Sequence, residues 1–440
     1  MAIFRFGMAA AALGVLGAGA TALSTYDATA AATAATTLAS NTVDAGELPG
    51  TLEVGGDLRY RYEGTENRYF NINAANNNPF KHLARLRLYA DYSTDDYRVF
   101  FMPQVHWQER IESMSIVNDD TAINQAYIDF EEENLDVRLG RQPIDYGSRR
   151  LLANVGWGNE ARTWDAGRLR LNSDQATTDI FYGRKGFWKF TQDNPALFGI
   201  WSVLTPENGP ETDLYALYRV VQNPRKDEQV WAFGARPQFQ LDERWFANLE
   251  VVGQVGSYGS RDLQAYGYVL RVGYDEPSGW KPGFHVDFAY GSGGDPDDPN
   301  RVTTLDPFYP SNFGRYSVIG FEGWRNTRAL TLCTHVKPSD KSWIKADISK
   351  LDLADPRDFW YGAGGSPIMS ATGVALRDPT GNSGRDIGWE FNVRGGYEAF
   401  EGFEVSAGFS QFHPGDFVKN TNNGFSDTVR WFYLQTTYDF

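Results

Sequence analysis

Cysteine is nearly missing from this 440-residue chain, which carries Cys333 alone. One thiol excludes an intrachain disulfide and a cysteine zinc site, so the fold rests on hydrogen bonding and packing. Long apolar runs are missing too: past the N-terminus no stretch offers the roughly 20 apolar residues of a membrane-spanning helix. The mean hydropathy of -0.45 agrees, and a polytopic helical protein does not fit. Positive charge is in deficit, with 41 Lys and Arg against 56 Asp and Glu and a net charge of -15. Nucleic acid is therefore not an expected partner, because phosphate binding needs a basic face. Histidine is also scarce, and the five (His82, His106, His285, His335, His413) stand apart with no HExxH or GxSxG motif. No catalytic centre, metal or cofactor is implied, and an enzyme is not expected.

What the chain has in excess is aromatic residues, at 15%, together with 45 glycines. That composition suits a lipid-facing sheet better than a soluble α/β enzyme. Residues 1–30 read as a secretory signal, with Arg5 as the charged start and Met8 to Leu23 as the apolar stretch. Residues 31–50, rich in Ala and Thr, lack the large apolar groups that would offset ordering entropy and are expected to form a flexible lead-in.

From residue 51 to 440 the chain divides into segments that alternate in polarity, the period of a strand with one apolar and one charged face. Leu58, Tyr60 and Tyr62 alternate with Asp57, Arg59 and Arg61, and Trp389-Glu390-Phe391-Asn392-Val393-Arg394 repeats the pattern. About 18 such segments can be counted. The odd-numbered connections are mostly long (64–81, 143–161, 292–326, 353–384), whereas nearly all even-numbered ones are short turns such as Asp95-Asp96. That parity predicts a transmembrane antiparallel up-and-down β-barrel in the all-β class, with long loops at one end and an aqueous lumen. A two-sheet sandwich has no reason to show it. The closing segment, Val429 to Phe440, ends on an aromatic and has the form of an outer-membrane assembly signal. The expected location is the outer membrane of a Gram-negative bacterium, with lipid and the barrel assembly machinery as partners.

If the apolar parity faces lipid, arginines crowd the lumen, with Arg59, Arg61, Arg85 and Arg87 clustered on adjacent strands and Arg170 and Asp129 on the same face. The planar guanidinium matches carboxylate oxygens in pairs, so the implied solute is anionic. Cross-strand pairing with the lumen acids is the competing use of these groups. The segments Leu139-Gly140-Arg141-Gln142, Leu305-Asp306-Pro307-Phe308-Tyr309-Pro310, Gly323-Trp324-Arg325-Asn326 and Phe412-His413-Pro414-Gly415-Asp416-Phe417, in that order, resemble the alginate export outer-membrane porins over nearly the whole mature chain. The resemblance implies a monomeric 18-stranded barrel passing an alginate-like anionic polysaccharide through an arginine-lined constriction. By motif it nominates Arg141, Arg162, Arg168 and Arg325, oriented by Asp129 and Asp165, with Arg394 also on the lumen face. The family's exporter has a long turn before its penultimate strand, and here that turn is only about Ala399 to Gly402. A general or oligosaccharide-uptake porin, and more remotely a barrel-embedded enzyme, are the alternatives.

Overall fold

A computed structural model describes residues 49–75, 77–110, 115–185, 195–223, 226–311 and 313–440. The expected signal segment and the lead-in up to residue 48 lie outside the described residues. The strands are β1 (Thr51–Glu66), β2 (Phe80–Ser93), β3 (Tyr97–Arg110), β4 (Ser115–Glu132), β5 (Leu135–Gln142), β6 (Trp164–Ser173), β7 (Ala176–Arg184), β8 (Ala196–Leu204), β9 (Glu211–Asn223) and β10 (Lys226–Gln240). They continue with β11 (Trp245–Tyr258), β12 (Arg261–Asp275), β13 (Gly283–Gly291), β14 (Arg301–Val302), β15 (Thr327–Ser339), β16 (Ser342–Leu353), β17 (Asp386–Phe400), β18 (Phe403–Pro414) and β19 (Val429–Asp439). One short helix, α1 (Asp416–Thr421), sits before the last strand.

Successive staves pair antiparallel and β1 closes on β19, from Asp57 opposite Asp439 to Glu66 opposite Arg430. The two-residue β14 lies in a loop, parallel to β12, so β13 pairs with β15 and the closed barrel has 18 staves. Closure leaves no strand edge unpaired, which is what a sheet surrounded by lipid requires. Phe440 completes the seam, exchanging two backbone hydrogen bonds with Gly56 at 2.8 and 3.0 Å. The expected all-β, up-and-down barrel is thus the observed fold. Of the odd-numbered connections, those after β9 and β11 are tight hairpins rather than long loops.

Outward positions carry exposed apolar side chains on nearly every stave, among them Phe101, Leu139, Phe233, Leu270, Leu330 and Phe391. In water such a band would be costly, and in a bilayer it is the lipid face. Inward positions differ from the sequence expectation. Along β7 to β13 the long-loop end of the inner wall is apolar, with Phe181, Leu197, Leu217, Val230, Leu263 and Ala265 all buried. The cause lies in the loops, which fold back into the barrel instead of standing above it. Phe70, Leu152, Leu305, Trp324, Trp360 and Phe417 come from four loops and α1 and form one buried cluster with that wall. Burying each such side chain contributes about 1.5–3 kcal/mol, so the loops have a core of their own. Gly199 marks how tightly the wall is packed, since a Cβ there would meet the Phe181 ring at 2.1 Å. The lumen is therefore open water only where this packing leaves gaps.

Candidate functional site

Two loops cross the interior and carry the site. The first, 143–163, leaves β5 and seats Tyr146 against Phe181 and Trp201, with ring centroids 5.3 and 5.2 Å apart. The Tyr146 hydroxyl donates to Asp179 Oδ2 at 2.7 Å. The loop then reaches β11, where Ser148 Oγ donates to Glu250 Oε2 at 2.5 Å and Arg150 lies 3.3 Å from the same oxygen and 3.6 Å from Asp287. It returns along β1, where Arg59 donates to the Gly156 and Gly158 carbonyls and Arg61 to that of Trp157.

The second loop, 303–326, is fixed at one end by Asp306. Its carboxylate takes Arg219 at 2.6 Å, Arg325 at 3.0 Å and the Tyr258 hydroxyl, all inside the barrel. Tyr309 pairs by backbone with Leu151 and Ala153 of the first loop. At its other end Glu390 of β17 accepts from Ser317 Oγ and the Val318 N–H, both at 2.6 Å. The second loop is thus bolted at both ends by buried carboxylates, and the first by Glu250 at one wall and by Arg59 and Arg61 at the other, and each carboxylate satisfies donors that would otherwise be stranded.

The sequence-nominated residues divide into three groups. Most face inward but are already engaged: Arg85 with Asp57 at 2.5 Å, Arg170 with Asp179 at 2.7 Å, and Asp129 with Arg138 at 2.6 Å. Arg87 donates to Gln104 Oε1 at 2.7 Å, and Arg59 and Arg61 hold the first loop. Arg162 and Arg325 lie in the loops themselves. Arg162 donates to the carbonyls of Ala153, Tyr309 and Pro310, and burial lowers its guanidinium pKa to about 10, so it stays charged at neutral pH. Arg394 donates to Asp347 at 2.9 Å while its Nε is buried without a partner among the described residues. Arg168 faces inward and has no hydrogen-bond or ion-pair partner among the described residues.

Arg141 and Asp165 correct the expectation that they line a constriction. They face each other across β5 and β6 in a two-pronged pair at 2.8 and 2.9 Å, in register with outward Leu139 and Gly167. Alternation puts them on the lipid side of the wall, while Gln142 and Trp164 beside them point in. The motif placed Arg141 at a strand end but could not say which face it took.

Two of the interior cavities touch both crossing loops. The one toward the short turns has about 560 Å³ and is lined by seven cations (Arg149, Arg150, Arg236, Arg271, Arg315, Lys345 and Arg394) and one acid, Glu250. The other, toward the long-loop end, has about 630 Å³ and combines Arg61, Arg68, Lys81 and Arg162 with Trp157, Phe313, Phe321 and Trp431. Arg315 is lowered to about 10 by burial and then by the nearby Arg150, so it too stays charged. Its Nε donates to the Ser148 carbonyl at 2.8 Å. Sequence reading missed Arg150, Arg315, Trp157 and Phe313, because strand periodicity says nothing about loops. The only signal was an arginine close behind a loop glycine, in Gly147-Ser148-Arg149-Arg150 and Gly314-Arg315.

Glu322 of the second loop is fully buried; one oxygen accepts from Trp360 Nε1 at 2.8 Å and the other has no partner among the described residues. Burial raises its pKa well above the usual carboxylate range. A raised folded-state pKa contributes stability that is full below the unfolded value near 4.3 and is lost as pH rises through the folded value. Glu322→Gln is therefore expected to make the loop core about 1–3 kcal/mol more stable than wild type at pH 8. Loop proteolysis at pH 5 and pH 8 checks this, and equal protection of both proteins at pH 8 contradicts it.

Comparison with curated proteins gives no match. Among solved structures the chain is similar to Pseudomonas aeruginosa OpdQ (TM-score 0.59, 10% identity, 88% of this chain and 98% of that one). It is similar to Acinetobacter baumannii OccAB4 (0.58, 11%, 88% and 98%) and to Pseudomonas aeruginosa OpdO (0.57, 12%, 88% and 97%). At these identities the likeness shows the fold alone, a closed antiparallel β-barrel. The alginate export family matches residues 51–431, nearly all of the described barrel. With that match and the closed 18-stave channel fold, the chain belongs to the alginate export family.

Proposed function

We propose that this outer-membrane channel passes alginate or a similar anionic polysaccharide or oligosaccharide by passive movement along an arginine-rich interior. The observation that carries the reading is the inner cavity, whose lining holds seven cations and Glu250, and where cations stay in excess even when the acids paired behind them (Asp145, Asp213, Asp287 and Asp347) are included, in a chain whose net charge is -15. Net composition works against an anionic cargo, so a local reversal of sign on the pathway has to be built by placement. In this reading the N-terminal segment is removed on export. The mature chain is a monomer in a Gram-negative outer membrane with its long loops outside, and the strand ending at Phe440 is recognised by the assembly machinery.

A second reading, a general oligosaccharide-uptake porin, is favoured by the pairing of many inward arginines with acids, such as Arg98 with Asp91 and Arg271 with Asp287. Recording from the refolded protein in a planar bilayer separates the two. Anion preference in a salt gradient and concentration-dependent block by oligouronates are expected from the first. An unselective current indifferent to uronates would assign the protein to the second. The preference should also fade in 1 M salt, where screening shortens the reach of charge to about 3 Å.

A further inference from the structure

The two cavities are joined at one residue. Among the described residues Phe313 is the only side chain that lines both. Its ring lies flat on Trp157 of the other crossing loop, with centroids 3.8 Å apart and planes at 7°. The opposite sides of this pair are covered by guanidinium groups: Arg61 of β1 lies 3.7 Å from the Trp157 ring and Arg394 of β17 lies 5.6 Å from the Phe313 ring. Trp431 and Tyr433 of β19 form the floor, with Tyr433 edge-on to Trp157 at 5.0 Å. Gly314 follows with φ +70, and a Cβ there would come within 2.7 Å of an Arg394 nitrogen. The glycine both permits the turn and keeps bulk out of the passage.

We propose that Phe313 and Trp157 form the selecting neck of the pathway. Anionic sugar chains enter it in single file, their pyranose faces stacking on the aromatic rings as the pair separates and their carboxylates passing between Arg61 and Arg394. This deepens the polysaccharide-channel reading above and rests on it. Charge alone would admit any anion. A flat aromatic surface between two guanidinium groups adds a requirement for a ring, because a sugar presents an apolar C–H face that a compact carboxylate such as citrate lacks. The pair is also a contact between the two loops, so it narrows the passage without a dedicated plug.

The test is bilayer recording from refolded full-length protein, comparing wild type with Phe313→Ala and Phe313→Tyr and using oligouronates and citrate as blockers. Heat-modifiable migration on a gel confirms that each variant forms the barrel. Phe313→Ala is expected to shorten the residence of the uronate block about fivefold, the scale of one aromatic contact, and to raise the open conductance. Citrate block and the salt-gradient potential should stay as in wild type, and Phe313→Tyr should behave as wild type. Uronate block that survives Phe313→Ala unchanged, or citrate block that falls equally, overturns the neck while leaving the channel reading intact. A wild-type channel with neither anion preference nor uronate block overturns both.

Discussion

Asp306→Ala is expected to release the second crossing loop from the wall at a cost of about 3–5 kcal/mol, the scale for removing one member of a buried ion pair. The change removes the carboxylate on which Arg219 (2.6 Å) and Arg325 (3.0 Å) converge, leaving Arg325 without an acid partner among the described residues and Arg219 with Glu228 alone at 3.1 Å. The Tyr258 hydroxyl loses its acceptor too. The barrel itself, closed by strand pairing, should persist, so the loss should appear as local opening. Limited proteolysis between residues 292 and 326, with heat-modifiable migration unchanged, is the measurement. Loop protection equal to wild type would show that the hydrophobic loop core alone holds the segment. Because Tyr309 pairs with Leu151 and Ala153, the first loop should loosen as well, and conductance should rise.

The same anchor has a pH signature. Burial disfavours the charged form of Asp306, but Arg219 and then Arg325, with hydrogen bonds from Arg219 and Tyr258, outweigh it and hold the carboxyl below its ordinary range. A depressed folded-state pKa contributes stability that is full above the unfolded value near 3.9 and is lost as pH falls toward the folded one. Loop protection by Asp306 should therefore persist at pH 5 and weaken only in strong acid. Glu322 runs the other way, losing its contribution as pH rises, so the loop core is pulled from both ends of the scale.

Neutralising the cations that have no acid partner should reduce anion preference more than removing any paired arginine. Arg168, Arg315 and Lys345 are three of these, since among the described residues none of them has an ion-pair partner and none, unlike Arg59 and Arg162, holds a loop to the wall through several carbonyls. A unit charge about 10 Å from a permeating ion contributes roughly 0.4 kcal/mol in water, and three contribute roughly 1.2. Screening at 10 mM salt leaves about 0.9 kcal/mol, a fourfold change in permeability ratio. The triple change to glutamine, which keeps a polar side chain at each site, should move the reversal potential by that amount. Arg141→Ala serves as the control and should leave it unmoved, because Arg141 faces lipid with Asp165. An equal shift from Arg141→Ala, or none from the triple change, would sink the argument that unpaired inward cations set selectivity.

Strand periodicity and loop-length parity determine the barrel from sequence alone, because each strand is specified by its own alternation and each hairpin by the connection beside it. The inward positions of Arg59, Arg61, Arg85, Arg87 and Asp129 follow from the same local rule. Arg141 escaped it because a motif marks a residue without stating its parity, and one step along a strand reverses the face. What only the tertiary structure decided is the interior. Whether a loop stands in solvent or folds into the lumen depends on partners far along the chain, such as Asp306 with Arg219, Ser317 with Glu390 and Trp157 with Phe313. None of these contacts has a period, so the cavities, the unpaired cations and the aromatic neck between them emerge only when the barrel closes and brings its loops together.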